Sequence, residues 1–450
     1  MPKVEIHLEL SVPSEKLGVN QVIELLKQVE EELGTAMAKC YLEQVQDQVL
    51  EQVLGARWSK ETQRPAPWSC PECGAIQGFS RRGSYPRVLR RTSLGRISFD
   101  LRQVTCRHCD HTFSPFPDML DLEPYQASTT ELRAKAVKVA CQTSYARAAQ
   151  HMHNLARVSV SATAIHQWAQ THGGSVTFDV SQGDGCPLLL DSTMVCAGDE
   201  ARGAALNLGL SIQKRCSQGA RACLQVYPVC FGVGETWSIT GKDLKQVDPD
   251  RVVFDGGSRV TRCLDSILPG IPKQRGIWHL VRQLYMPLWR DGLRKEQAKD
   301  WMRQLGKLLY HPEHDVQETK AQLKDLIRRL SKEGLSHAAT YLAAAVPHVF
   351  TYRERPDGIL DEDSTTGSCA IRSTSPVERQ MREINRRTDV GARWSVSGVE
   401  NLIALDLIRR FDPEQWQTVW DLPDQSDPAY SAVELRIEAR AEPILNVKTT

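Results

Sequence analysis

The chain has 450 residues, too many for one ordinary domain, and its length alone predicts about two to four domains. Hydrophobic residues make up 41% of the sequence and charged residues 25%, proportions typical of soluble globular proteins that argue against a disordered chain or a fibre. The 56 Lys and Arg residues nearly balance the 55 Asp and Glu residues, which excludes a simple polycationic nucleic-acid coat.

The sequence carries no sign of a membrane span or of a secretory signal. No apolar run approaches the roughly 18 residues of a span, and the start, MPKVEIHLELSV, lacks the apolar core of a signal peptide. Thirteen cysteines, scattered except for two CxxC pairs, suit a reducing compartment with a metal site better than a disulfide scaffold. We therefore expect a soluble cytoplasmic protein of several domains.

Charge is distributed unevenly along the chain. Residues 57–110 contain eleven Lys and Arg against four Asp and Glu, whereas residues 411–442 contain eight acidic residues against two Arg. A basic module is the electrostatic footprint of phosphate contact, although a solvated Arg-rich hairpin is an alternative interpretation. We assign 411–450 to an acidic C-terminal tail whose role the sequence does not indicate.

The N-terminal region, residues 1–56, combines a short strand with helix. Lys3 to Val12 alternates like a strand, and the period then becomes helical from Val19 as far as a stop at Gly55. The apolar positions of this helical region are Val22, Leu26, Val29, Leu33, Leu42, Val45, Val49 and Val53. Such a helix either dimerises or covers a core, and we favour core cover.

Two cysteine pairs predict a structural zinc site in residues 57–118. Cys70 and Cys73 are separated by 32 residues from Cys106 and Cys109, and four thiolates suffice for a tetrahedral zinc. The intervening chain predicts an antiparallel hairpin, with strands Arg87 to Thr92 and Arg96 to Thr105, as in a zinc ribbon. The alternatives are coincidental turns or a redox pair, and no βαβ context supports redox chemistry. The hairpin is rich in arginine, and we expect DNA contacts from Arg81, Arg82, Arg90 and Arg91.

Residues 128–174 predict three helices of a helix-turn-helix unit. A first helix follows Thr130, a short second helix runs from Tyr145 to His153, and a third runs from Ser161 to His172. A third helix with outward polar positions resembles a DNA-reading helix, although any small three-helix packing unit is the alternative. The predicted DNA-contacting positions are Thr163, His166, Gln167 and Gln170.

Residues 183–292 carry strands in the order of a ribonuclease-H-like core. A strand from Leu188 ends in Asp191, and a later strand from Arg251 ends in Asp255. The other strands are predicted at Ala205 to Ile212, Cys223 to Val229 and Arg275 to His279. In that topology Asp191 and Asp255 lie side by side, and adjacent carboxylates favour Mg²⁺ or Mn²⁺ because they otherwise repel each other.

A third carboxylate is predicted on a helix within residues 370–410. Val377, Met381 and Ile384 form an apolar stripe that leaves Glu378 at the N-terminal edge of the helix. Ser375 and Glu378 also match a capping box, so the same Glu could merely cap its helix. The fallback candidates are Glu383 and Glu400.

With these motifs, most of the chain resembles insertion-sequence transposases of the Mutator superfamily, the DDE class. The resemblance runs through the zinc ribbon, the helix-turn-helix and the first Asp strand. It continues in Phe254-Asp255-Gly256-Gly257, Gly276-Ile-Trp-His279, Val377-Glu378-Arg379 to Arg386-Arg387, and Thr388 to Ser395. One position departs from the pattern: relatives often carry Cys where this chain has Gly276.

The resemblance implies a fold, a catalytic site and an activity. The fold is multidomain α+β: a zinc ribbon, a helix-turn-helix and a ribonuclease-H-like α/β core interrupted by an all-helical insertion at about 293–354. Asp191, Asp255 and Glu378 are the implied catalytic triad, with His279 as an accessory residue, although a core histidine beside Trp278 is the alternative. The implied activity is metal-dependent cleavage of double-stranded DNA at terminal inverted repeats, followed by strand transfer into target DNA.

This activity implies a homodimer or higher oligomer on nucleoid DNA, since two element ends must be joined together. Two alternatives stay open. One is a non-catalytic zinc-ribbon and helix-turn-helix DNA-binding regulator. The other is a ribonuclease-H-like nuclease without strand transfer.

Overall fold

The computed structural model describes residues 18–55, 69–120, 122–218, 221–310, 315–354, 373–389 and 393–423. The predicted strand at Lys3 to Val12 and the acidic tail beyond residue 423 lie outside these ranges. Within them the fold is mixed α+β, with a three-stranded and a five-stranded sheet. No helix in the described ranges is both long and apolar enough to cross a membrane.

A long helix and a cysteine-bearing hairpin form the N-terminal part of the described chain. The elements are α1 (Val19–Gly55), β1 (Phe79–Thr92), β2 (Gly95–Cys106), β3 (Thr112–Phe113) and α2 (Phe116–Met119). β1 and β2 pair antiparallel around a turn at Gly95, whose φ of 102° suits glycine. The hairpin is as predicted, with β1 longer than expected. We call residues 69–113 the cysteine hairpin.

The C-terminal half of α1 docks on β2 through polar and apolar contacts. The buried Gln46 side chain donates to the Asp100 carbonyl at 3.0 Å and accepts from the Arg102 amide at 2.9 Å. Arg102 also makes two 2.9 Å hydrogen bonds to the Asp47 carboxylate. Leu50 is buried in the hairpin core. This half of α1 therefore covers a core, as expected.

Three short helices follow: α3 (Thr130–Ala140), α4 (Tyr145–Ala156) and α5 (Ala162–Gly173). Ser144 and Ser161 cap α4 and α5, because each hydroxyl accepts a backbone N–H of the first turn. α4 ends at Arg157, which adopts a left-handed φ of 54°. The three predicted helices are confirmed, and we call residues 130–173 the three-helix unit.

The five-stranded sheet has the strand order β6-β5-β4-β7-β8. Its strands are β4 (Pro187–Val195), β5 (Ala204–Gln218), β6 (Arg221–Val233), β7 (Arg251–Phe254) and β8 (Lys273–Arg275). β4, β5 and β6 are antiparallel neighbours, whereas β7 and β8 run parallel to β4. Short helices α6 (Trp237–Thr240), α7 (Ser258–Thr261) and α8 (Leu264–Ile267) lie between β6 and β8 in the chain.

Two predicted strand boundaries in this sheet are wrong. The last strand ends at Arg275 rather than His279, because Gly276 begins a helix whose turns bury Ile277 and Leu280. Asp191 is not the last residue of β4, which continues to Val195 because β5 keeps pairing with it.

A helical region follows β8. Its elements are α9 (Ile277–Gln283), α10 (Tyr285–Arg290), α11 (Lys295–Tyr310), α12 (Val316–Lys332), α13 (Ser336–Val349) and α14 (Thr351–Glu354). Leucines from α9 to α13 share one core. In α12, the predicted stripe buries Leu323 and Leu330 and half-buries Ile327. Because Ile277 and Leu280 belong to this core, the helical region begins well before residue 293.

Two helices, α15 (Ser375–Thr388) and α16 (Val396–Phe411), pack on one face of the five-stranded sheet, and α17 (Pro413–Val419) follows. The predicted stripe of Val377, Met381 and Ile384 is buried there with Leu189 and Val253. α16 also packs on the three-helix unit, together with buried Trp416 and Trp420 at the start of the predicted tail. Trp416 and Trp420 therefore anchor the first residues of the predicted tail in a packed core.

Gly173 of the three-helix unit lies directly against the backbone of α16. A Cβ at this position would lie 2.4 Å from the backbone oxygen of Asn401. We expect Gly173→Ala to lower the free energy of unfolding by about 1–3 kcal/mol, because neither backbone can move away cheaply. Urea denaturation followed by circular dichroism measures this effect.

The neighbouring glycine provides the control. A Cβ at Gly174 would meet its nearest atom, the Gln170 carbonyl oxygen, at an ordinary 3.6 Å. Gly174→Ala should leave stability nearly unchanged. Equal stabilities of the two variants would contradict the close contact.

Candidate active site and metal centre

Strand pairing brings Asp191 and Asp255 together. β4 and β7 are parallel neighbours with Leu190 opposite Phe254, so the two aspartates each follow a paired residue. Side chains alternate along a strand, and Asp191 therefore shares the sheet face of Leu189, which packs in the same core as α15. By the same alternation, Asp255 shares the sheet face of Val253, which packs in that core too. Both carboxylates face the helix that carries Glu378.

Glu378 completes a set of three carboxylates around an open cleft of about 830 Å³. The buried stripe of α15 fixes the rotation of the helix. Glu378, in the first turn, is therefore left beside the cleft. Asn385 donates to Thr193 Oγ1 at 3.0 Å and ties α15 to β4 further along. The cleft is also lined by Ser192, Thr193, Trp278, His279, Arg282, Tyr310, Ser375 and Arg382. We call this the carboxylate cleft.

Two side chains hold one oxygen of Glu378. Its Oε1 is 2.8 Å from His279 Nε2 and accepts a 2.8 Å hydrogen bond from Thr374 Oγ1. The capping-box interpretation is wrong: the N-cap residue is Thr374, and the Glu378 amide bonds to its backbone carbonyl. His279 lies on α9, with its ring edge-on to Trp278 at 4.8 Å. Thr374 is not among the residues predicted from the sequence, although its position four residues before Glu378 could have indicated a contact between the two side chains.

The carboxylates repel one another in the absence of a cation. Asp191 is 7% exposed, and burial together with the charges of Asp255 and Glu378 raises its pKa to about 7. The Ser192 amide donates to Asp191 Oδ1 at 2.8 Å and opposes this shift. Asp255 is held in turn by the Gly257 amide at 2.6 Å. The fold thus holds Asp191 in a place that disfavours its charge.

The donor set of the carboxylate cleft fits a hard divalent cation. Carboxylate oxygens are the ligands that Mg²⁺ and Mn²⁺ take, and a cation would offset both the burial of the Asp191 charge and its repulsion by the other carboxylates. The four sulfurs of the cysteine hairpin form a separate group of possible metal ligands. Those sulfurs are the only such group in the described residues whose ligand atoms all lie within 4.8 Å of one another.

The fallback carboxylates lie outside the cleft. Glu383 is on the exposed side of α15 and pairs with Arg386 at 2.9 Å. Glu400 accepts the Val233 amide at 3.1 Å, and burial raises its pKa. Neither lines the space between Asp191 and Asp255.

The four cysteines of the hairpin form a second centre, which could bind zinc. Cys70 Sγ lies 3.6 Å from Cys109 Sγ, and Cys73 Sγ lies 3.6 Å from Cys106 Sγ. Zinc–sulfur bonds of about 2.3 Å in a tetrahedron place sulfurs about 3.8 Å apart, close to these separations. After each pair the chain turns through a left-handed residue, Gly74 at φ 71° and Asp110 at φ 55°. The nearby histidines, His108 and His111, are not needed as ligands.

The arginines predicted to contact DNA differ in exposure. Arg81, Arg82 and Arg90 are exposed on the cysteine hairpin, whereas Arg91 is half-buried. The Arg91 backbone pairs with residues 127–129 ahead of the three-helix unit.

In α5, Thr163, His166 and Gln167 are exposed. The fourth predicted residue, Gln170, instead donates to the Gly398 carbonyl at 3.2 Å and accepts from Asn401 at 3.0 Å. Because the Gln170 side-chain amide is hydrogen-bonded to α16, we no longer expect it to contact DNA.

Comparison with known proteins gives little independent information. No protein-family model matches the chain, and no curated protein matches it. Among solved structures, the chain is similar to the Drosophila P element transposase strand transfer complex at 12% identity, over 70% of this chain and 88% of that chain. The TM-score is 0.25, too low to support a conclusion about fold or function.

Removing one thiolate should release the metal of the cysteine hairpin. We expect the wild type to bind about one zinc per chain and Cys73→Ser to lose it, because three thiolates leave the tetrahedron open to water and chelator. Elemental analysis after dialysis against EDTA measures this. Cys263→Ser is the control, since Cys263 lies outside the hairpin and contacts Ser238. Full zinc retention by Cys73→Ser would contradict the assignment.

The raised pKa of Asp191 predicts a pH-dependent loss of stability when divalent cations are absent. Between pH 3.8 and about 7 the unfolded chain releases this proton while the folded chain keeps it, so stability falls as pH rises. The cost is roughly 4 kcal/mol at most above pH 7. Asp191→Asn should therefore gain stability over the wild type as pH rises from 5 to 8.

The measurement is the unfolding midpoint in EDTA at a series of pH values. The matched control is Asp300→Asn. Asp300 is exposed and pairs with Arg303 in the wild type, so this variant should show no such gain. The same pH dependence in the wild type and Asp191→Asn would mean that Asp191 is ionised without cost.

Proposed function

We propose that this chain is a DDE-type DNA transposase that cuts DNA at element ends and transfers the freed strand into target DNA. The observation that carries the proposal is the convergence of Asp191, Asp255 and Glu378 on one open cleft. They arrive from β4, from the residue after β7 and from α15, three elements far apart in sequence. An acidic cleft open to solvent suits a large polyanionic substrate only when cations bridge the two.

The sheet topology supports a ribonuclease-H-like core for the catalytic part. Three antiparallel strands are followed by two that run parallel to the first, in the order β6-β5-β4-β7-β8. This is the order expected of such a core, with its two acids on the neighbouring first and fourth strands. We further propose that the cysteine hairpin, the three-helix unit and the helical region following β8 are its zinc ribbon, helix-turn-helix and insertion.

In the proposed mechanism the protein mainly positions the reacting groups. Asp191, Asp255 and Glu378 would hold Mg²⁺ or Mn²⁺, and the bound ion would polarise the scissile phosphate and help to ionise the attacking water or hydroxyl. Asp191 and Asp255 stay fixed because the amides of Ser192 and Gly257 orient their carboxylates. His279 Nε2 lies 2.8 Å from Glu378 Oε1 and, as the donor of that hydrogen bond, would keep the carboxylate in place.

Two in-line displacements at phosphorus make up the reaction. Water first attacks the phosphate at the element end, and the bond from phosphorus to the 3′-oxygen breaks, which frees a 3′-hydroxyl. That hydroxyl then attacks a phosphate of the target DNA and displaces the 3′-oxygen of the target strand. Arg282 and Arg382 lie on the cleft wall, where they are available for the phosphates on either side of the reacting one.

Recognition of DNA falls to the basic and polar faces outside the cleft. Arg81, Arg82 and Arg90 are available for salt-sensitive phosphate contacts, and Thr163, His166 and Gln167 form the exposed face of α5. The proposed partners are the terminal inverted repeats and the target DNA. Joining two ends requires a homodimer or a higher oligomer on nucleoid DNA.

The test is strand cleavage of the DNA that flanks the gene, with Mg²⁺ and the purified full-length protein. We expect discrete nicks at two matching ends, and a loss of about 10²-fold or more in Asp191→Asn, Asp255→Asn and Glu378→Gln. Glu383→Gln is the matched control, because Glu383 lies on the same helix but outside the cleft. DNA binding by all variants should remain.

Other outcomes identify the alternative functions. Nicks that persist in Asp191→Asn would contradict the assigned site. Specific binding without cleavage by the wild type would favour the DNA-binding regulator, and cleavage without joining would favour a nuclease.

A further inference from the structure

Glu378 is held asymmetrically. Its Oε1 accepts a 2.8 Å hydrogen bond from Thr374 Oγ1 and also lies 2.8 Å from His279 Nε2. In the part of the chain that the structure describes, no hydrogen bond joins the protein to Oε2. Two donors on one oxygen fix the plane of the carboxylate, and they leave the other oxygen as the atom available to a ligand in the cleft.

The Thr374 hydroxyl is committed to this contact. Thr374 is fully buried and is the N-cap residue of α15, yet its side chain makes no capping hydrogen bond to the helix. An N-cap threonine ordinarily accepts a first-turn N–H. Here Pro376, at the second helical position, has no N–H to offer, and Ser373 Oγ accepts the Ser375 amide instead. The Thr374 hydroxyl therefore donates to the Glu378 carboxylate instead of capping the N-terminus of α15.

We propose that Thr374 is a positioning residue that makes Glu378 a single-oxygen ligand and thereby favours Mg²⁺ and Mn²⁺ over Ca²⁺ in the carboxylate cleft. This inference rests on the proposed function, since it assumes that the cleft binds a divalent cation. Mg²⁺ requires a compact octahedron with ligands at about 2.0–2.1 Å, which one oxygen per carboxylate satisfies. Ca²⁺ takes six to eight ligands and readily uses both oxygens of a carboxylate.

Removing the hydroxyl should weaken this preference. Thr374→Val keeps the shape of the side chain but leaves His279 as the remaining donor to Oε1, so that the carboxylate can rotate and offer both oxygens. Partners that orient a metal ligand typically contribute about 10- to 100-fold to metal affinity. We expect Thr374→Val to bind Mn²⁺ about tenfold more weakly, with a smaller loss or a gain for Ca²⁺. Thr374→Ser keeps the hydroxyl and should retain the wild-type preference.

The experiment is calorimetric titration of Mn²⁺ and of Ca²⁺ into the full-length, zinc-loaded protein without DNA. It includes the wild type, Thr374→Ser, Thr374→Val and Asp191→Asn, and circular dichroism shows that each variant is folded. The proposal is supported if the ratio of Mn²⁺ affinity to Ca²⁺ affinity falls in Thr374→Val and stays at the wild-type value in Thr374→Ser. An unchanged ratio in a folded Thr374→Val, or an equal fall in Thr374→Ser, overturns it.

Asp191→Asn separates this proposal from the proposed function. If Asp191→Asn abolishes Mn²⁺ binding while Thr374→Val matches the wild type, the role of Thr374 is wrong and the metal site stands. If Asp191→Asn binds Mn²⁺ as the wild type does, the metal site itself is wrong, and the role of Thr374 is overturned with it.

Discussion

The parallel pairing of β4 with β7 is the constraint on which the rest of the site depends. Because Leu190 lies opposite Phe254, the next residue in each strand is an aspartate on the same face of the sheet. A shift of one residue in either strand would turn one aspartate toward the opposite face, among Leu188 and Val252. The pairing thus buries Asp191 and sets it beside Asp255, and this burial together with the charge of Asp255 raises the Asp191 pKa. The protein bears a cost that only a cation or a proton offsets, which is characteristic of functional sites.

α15 links this site to the three-helix unit. Arg387, at its C-terminal end, is buried and donates to the Ala140 carbonyl at 2.8 Å. Its guanidinium lies 5.4 Å from the Tyr145 ring and 4.8 Å from the Trp394 ring, and these contacts offset part of the cost of burying the charge. The helix that carries Glu378 is therefore fixed to the helices proposed to read DNA.

The sequence predicted the parts of the fold that local pattern determines. The α15 stripe, the three short helices and the hairpin turn at Gly95 follow from hydrophobic period and turn chemistry. The end of β8 could not be predicted, because the apolar residues Ile277 and Trp278 fit a strand as well as a helix until their neighbours in the helical core are known. Gln170 was misjudged for a related reason: its partners are more than 220 residues away, on α16. The roles of individual polar side chains depend on such distant contacts.

The most direct measurement is anomalous diffraction from crystals grown with Mn²⁺, with data collected on both sides of the manganese and zinc absorption edges. The account predicts a manganese peak between the carboxylates of Asp191 and Asp255, about 2.1 Å from their oxygens, and a separate zinc peak among the four cysteines. A carboxylate cleft without manganese in crystals whose cysteine centre holds zinc would contradict the proposed catalytic site.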